Sequence, residues 1–198
     1  MTYTTYADVF RPGVSRNAPV ARVYDFVLIV TASVFIALCA QIAIPLPYSP
    51  VPITGQTLAV LLTGILLGSK RGSAAVAAYY AEGAAGLPVF AGGGFGIQHF
   101  IGPTGGYLAG FVLAAYACGY LAERGWDRTF ILTLLTLITG KVIIYSCGLL
   151  WLVKWVGFNQ VLIMGLYPFI PGMLIKIALA TVLLPLGWKF LGVKNNHP

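Results

Sequence analysis

Charge is what this chain has least of. Only 9% of its 198 residues are charged, five of them acids and twelve Lys or Arg. Two histidines and three cysteines complete a short supply of metal-binding and nucleophilic side chains. Cys39, Cys118 and Cys147 are odd in number, sit inside apolar runs and show no CxxC or Cys/His spacing, so neither a disulfide framework nor a zinc site is expected. No GxSxG or HExxH occurs, and His99 and His197 stand in a loop and in the tail with no nucleophile beside them. Glu82 is the one acid within an apolar run, which excludes paired-carboxylate chemistry. Nothing in the sequence reads as an enzyme. The net charge of +7 does not point to nucleic acid, because the bases are spread singly rather than clustered with aromatics. Nor do the first 25 residues offer the apolar stretch and small-residue site of a cleaved signal peptide.

What fills the chain instead is apolar surface. Hydrophobic residues make up 59% and the mean hydropathy is +0.87, more than a water-soluble core of this length would bury. An all-α integral membrane protein is expected, with spans near 26–44, 53–69, 73–91, 106–122, 130–152 and 171–190. Residues 1–25 and 191–198 then form cytoplasmic ends around a membrane domain at 26–190. The orientation follows from the bases, since cytoplasmic loops retain Lys and Arg. Arg11, Arg16, Arg22, Lys70, Arg71, Arg124, Arg128, Lys189 and Lys194 fall on one side and Lys154 on the other. The outer connections, 45–52 and 91–106, are uncharged and rich in Pro and Gly. They read either as surface turns or as irregular backbone folded over the mouth of a bundle.

Three ionisable groups lie within the spans: Glu82, Lys141 and Lys176. Each costs roughly 2.5 to 3.5 kcal/mol on insertion scales, so each needs a partner or a use. Counted from the cytoplasmic starts of their spans at 1.5 Å per residue, Glu82 and Lys141 come to similar depths, about 14 and 16 Å. A structural ion pair between them is expected, although Tyr80 or Tyr145 would serve either group. Lys176 follows Pro171 at the outer start of the last span. It either snorkels to the interface or joins the free NH groups of that helix start as a carboxylate receptor. Ser33, Ala37 and Ala40 make a small-residue strip on the first span, for packing inside the bundle or for docking a separate membrane subunit.

The segments VPITGQTLAVLLTGILLG (51–68), GLPVFAGG (86–93), GPTGGYLAGF (102–111) and PFIPGMLIK (168–176) together resemble the BioY family, the biotin-capturing S components of energy-coupling-factor transporters. The resemblance covers roughly residues 25–190. It implies six helices in the bacterial cell membrane, biotin bound from outside with no covalent cofactor, and a complex with a transmembrane coupling subunit and two ABC-type ATPases. Lys176 would hold the valerate carboxylate. The family's usual acid three residues before that lysine is replaced by Met173, which leaves Thr54, Gln56, Thr104, Tyr107 and loop backbone to meet the ureido ring. Phe95, Gly105, Gly106 and Tyr107 would wall the bicycle. Ser33-xxx-Ala37 matches the strip that contacts the coupling subunit. The competing reading is a self-sufficient ion-coupled carrier for a small carboxylate vitamin, with Glu82 relaying protons. No internal repeat between 26–91 and 106–190 supports it.

Overall fold

The computed structural model describes residues 4–11 and 19–191. Arg16, Lys194, His197 and nearly all of the 191–198 tail lie outside the described residues. A short helix α1 (Tyr6–Val9) and a long α2 (Pro19–Gln41) lead into a hairpin of β1 (Ala43–Leu46) and β2 (Ser49–Thr54). Then come α3 (Gln56–Leu67), α4 (Ser69–Ala84), a short α5 (Gln98–Ile101), α6 (Gly105–Ala122), α7 (Phe130–Val156), a short α8 (Val161–Gly165) and α9 (Ile170–Phe190). The chain is mostly helical. Among the described residues, four apolar stretches are long enough to cross a membrane: Pro19–Gln41, Gly105–Ala122, Phe130–Val156 and Val161–Phe190.

Helix α6 is the centre of the bundle. In its apolar stretch 61% of the residues are buried inside the chain, against 22% for that of α2. An all-round apolar helix is stable only when surrounded, and α3, α4 and α7 pack around this one. Small residues bring the backbones close. A Cβ on Gly64 of α3 would lie 2.3 Å from the Ala115 carbonyl oxygen of α6, and one on Gly110 would lie 2.9 Å from Ile144 Cα of α7. Outward, α2, α7 and α9 expose Val23, Phe26, Ile131, Val142, Leu179 and Leu183 among others, a belt suited to hydrocarbon rather than water.

Several boundaries differ from the sequence reading. Helix α2 begins at Pro19, seven residues before the expected span. Spans two and three are not joined by a loop: one glycine, Gly68 at φ 86°, turns α3 into α4, so Lys70 and Arg71 sit in the first turn of a helix. That φ suits glycine alone. Glu123 at the end of α6 caps the new helix, accepting from the Ser69 backbone NH at 2.7 Å and from its hydroxyl at 2.9 Å, an acid at a helix N-terminus where the dipole favours it. The proline-rich 45–52 stretch is not irregular but forms most of an antiparallel hairpin, with Ala43 opposite Thr54. Prolines are tolerated there because both strands are edges.

The end of the molecule with the Gly68 turn, away from the hairpin, collects the bases. Arg71 pairs with Asp8 at 2.6 Å and Asp25 at 3.2 Å, and Arg11 pairs with Asp25 at 3.1 Å. Arg128, from the α6–α7 connection, donates to the Thr4 carbonyl at 3.1 Å. Tyr6 of α1 donates to the Leu184 carbonyl of α9. The N-terminal residues are thereby tied to α4, to α9 and to the loop before α7.

Candidate functional site

At the opposite end lies a cavity of about 260 Å³. The hairpin supplies one side of its roof through Pro50 to Thr54, and the 90–104 connection supplies the other through Phe90, His99 and Thr104. Helices α6, α7 and α9 supply walls and floor: Tyr107 and Phe111, Lys141 and Tyr145, and Met173 and Lys176. Along α6, Phe111 is about 9 Å below the helix start at 1.5 Å per residue, so the cavity reaches well into the bundle.

Hydrogen bonds hold the roof in place. Lys176 donates through Nζ to the Thr54 carbonyl at 2.6 Å, tying β2 to α9. Ser49 Oγ donates to the Met164 carbonyl at 2.7 Å, tying the hairpin to α8. A relay crosses the top: Thr54 Oγ1 donates to Gln56 Oε1 at 3.2 Å, Gln56 Nε2 to the Tyr79 hydroxyl, and that hydroxyl to the Val89 carbonyl at 3.1 Å. On the other side Trp151 Nε1 donates to the Gly102 carbonyl at 2.8 Å. The two uncharged connections are therefore a fixed cover and not plain surface turns. The Thr54 and Gly102 carbonyls take their donors from side chains of the bundle, Lys176 and Trp151.

The electrostatics of the cavity are one-sided. Among the described residues two lysines line it and no Asp or Glu does. Lys141 is 3% exposed, and its ammonium meets no hydrogen-bond partner among the described residues. His99 at the roof is pushed below its ordinary pKa by burial, which favours the neutral ring. Apolar walls with few polar anchors suit a small organic molecule, and the charge balance suits an anion.

The BioY family model matches residues 14–193. The chain belongs to the BioY family. Among its relatives are the probable biotin transporter BioY of Pyrococcus horikoshii, 40% identical over 76% of this chain and 90% of that protein, and the biotin transporter BioY of Thermotoga maritima, 40% identical over 78% and 92%. The fold matches a crystal structure of the S-component for biotin from an ECF-type ABC transporter, with a TM-score of 0.74 and 28% identity, covering 87% of this chain and 94% of that one.

Against this BioY background the expected site residues divide. Lys176, Thr54, Gln56, Thr104, Tyr107 and Met173 all border the cavity. Phe95, Gly105 and Gly106 do not. Phe95 is 51% exposed at the surface. A Cβ on Gly105 would strike the Phe100 carbonyl oxygen, and one on Gly106 would lie 2.2 Å from Trp151 Cβ, so these glycines serve close packing of α6. The Gln56 amide and the Tyr107 hydroxyl are already engaged, the latter with the Gly165 carbonyl at 2.8 Å. The expected Glu82–Lys141 pair is not formed. Glu82 instead accepts from Ser33 Oγ at 2.6 Å, while Lys141 turns to the cavity. Of the small-residue strip, Ser33 and Ala40 are fully buried in packing inside the chain, and Ala37 is half-buried. Lys141, expected in an ion pair, and Tyr145, expected only as a substitute partner, were missed as cavity residues; they stand one turn apart on α7 and so share a face.

Proposed function

We propose that this chain captures biotin at the outer side of the membrane, as the high-affinity substrate-binding subunit of an energy-coupling-factor transporter. The observation that carries the reading is the roofed, apolar cavity with two lysines and no acid, in a BioY chain whose relatives are named biotin transporters. Biotin offers an apolar bicycle for such walls and one carboxylate for such charge. The bicycle's ureido group then faces the polar roof around Thr54, Gln98 and Thr104. Capture needs no covalent step, and the chain serves transport rather than catalysis.

Six membrane crossings by α2, α3, α4, α6, α7 and α9 complete the reading. The 12 residues of α3 and 16 of α4 span about 18 and 24 Å, short of a hydrocarbon layer of about 30 Å. They would cross as inner elements of the bundle, where protein rather than lipid surrounds them. Both termini then lie in the cytoplasm of a bacterial cell, because Arg11, Arg71 and Arg128 converge at the end opposite the cavity. Energy would come from a transmembrane coupling subunit carrying two ABC-type ATPases. An ion-coupled carrier gains no support, since Glu82, its expected proton site, is held by Ser33 and lies outside the cavity.

Titrating biotin into the purified protein without ATPases tests the reading. A Kd below about 1 µM is expected, and no binding at millimolar biotin would overturn it.

A further inference from the structure

We infer that Lys141, on α7 beneath the roof, is the group that pairs with the ligand's carboxylate, and that Lys176 is the latch that holds the hairpin closed. The assignment rests on the reading of the cavity as a biotin site. It reverses what the position of Lys176 near a helix start suggests.

Lys176 is already engaged: its Nζ donates to the Thr54 carbonyl at 2.6 Å, and the residue is only half-buried. Lys141 borders the same cavity but differs in burial and pairing. It is 3% exposed, and its Nζ meets no acceptor among the described residues. It stands 11 residues after Phe130 and 15 before Val156 in one continuous helix, about 16 and 22 Å from the two ends. That puts it in the low-dielectric middle, where an unpaired ammonium is strongly disfavoured and a counter-charge acts strongly.

Among the described residues no side chain supplies the counter-charge. The membrane acid Glu82 is taken by Ser33, and the cavity holds no carboxylate of its own. A neutral ligand oxygen would accept a hydrogen bond from Lys141 but leave its charge uncompensated, whereas an entering carboxylate provides both. Tyr145, one turn along α7 on the same face, and Phe111 of α6 line the same cavity. With the carboxylate at Lys141 the ligand lies lengthwise, its ring toward the roof. The cavity therefore selects for a free acid at its deep end.

Biotin and biotinamide, which differ only in that charge, separate the two lysines. The native protein should bind the acid about ten- to a hundred-fold more tightly than the amide. Lys141→Met should erase the preference, Lys141→Arg should keep it, and Lys176→Met should weaken both ligands alike while preserving it. A preference that survives in folded Lys141→Met, or vanishes in Lys176→Met, overturns the assignment. So does a native protein that binds acid and amide equally, a result that would leave biotin capture itself standing. Should Lys141→Met fail to fold, Lys141→Arg and Lys176→Met still decide. A native protein binding neither ligand would defeat the capture reading first.

Discussion

Ser33 of α2 donates its hydroxyl to Glu82 Oε1 of α4 at 2.6 Å, and the contact lies where α2 packs on α4. It explains why a serine stands in the small-residue strip of α2. The side chain is small enough for close approach and carries the donor that a membrane carboxylate requires. Removing the hydroxyl leaves a charged acceptor short of a partner, which costs about 1 to 3 kcal/mol. Ser33→Ala should therefore lower the thermal midpoint in detergent. The effects of Glu82→Gln and Lys141→Met on that midpoint should add, because the two side chains do not touch. Recovery in that double variant would restore the ion pair that the structure lacks.

The latch has its own kinetic signature. Lys176→Met removes the charged donor from the Thr54 carbonyl and frees the hairpin from α9. Release of bound biotin should quicken by about ten- to a hundred-fold with a smaller change in association, since a charged hydrogen bond contributes about 1.5 to 3 kcal/mol. Stopped-flow release rates check this. An unchanged rate would mean that Ser49 and the Thr54–Gln56–Tyr79 relay hold the roof without Lys176.

Glycine contacts separate tight packing from open surface. A methyl group on Gly64 would meet the Ala115 carbonyl oxygen at 2.3 Å and Ala115 Cα at 2.9 Å, both backbone atoms with no freedom to swing aside. Gly64→Ala should cost about 1 to 3 kcal/mol or more through the forced separation of α3 from α6. Gly172→Ala, where nothing lies within 4 Å, should stay within about 0.5 kcal/mol. Equal effects of the two on the thermal midpoint would contradict the packing at α6.

The helices and the cavity's location were legible in the sequence for one reason: long apolar runs and uncharged Pro/Gly connections leave few alternatives in lipid. The details lost were those set by rotation about a helix axis. Depth counting placed Glu82 and Lys141 at similar levels, but depth carries no azimuth, and the two helices turn these groups in different directions. The same gap hid Lys141 and Tyr145 from the list of ligand contacts, although their spacing of four puts them on one face. Phe95 was misplaced because aromatic character in a loop does not tell which way the loop turns. The hairpin was hidden by its prolines, which read as strand breakers unless both strands are edges.

A pH dependence should arise at the end far from the cavity. Asp127, in the connection after α6, is fully buried, and its Oδ2 accepts from Trp188 Nε1 at 2.7 Å. Burial raises its carboxyl to about 6, an effect only partly offset by the Trp188 hydrogen bond and the charge of Arg128. The unfolded chain, at the ordinary 3.8, then binds fewer protons than the folded one between about pH 4 and 6. Stability from this group is present below pH 4, falls as pH rises to 6 and is constant above. At 1.36 kcal/mol per pKa unit the fall is at most about 3 kcal/mol. Asp8 works in the opposite sense. Its burial would raise it, but the hydrogen bonds from Arg71 and Thr5 prevail and hold it below the ordinary range, so its contribution is lost on acidification. The Asp127 part is isolated by Asp127→Asn, which keeps an acceptor for Trp188 while removing the titration. Relative to the native protein, Asp127→Asn should gain stability between pH 4 and 6 and hold that gain at pH 7.5. Thermal midpoints at pH 4.5 and 7.5 measure it, and a difference that does not change with pH would show that the carboxyl is not titrating in the folded protein.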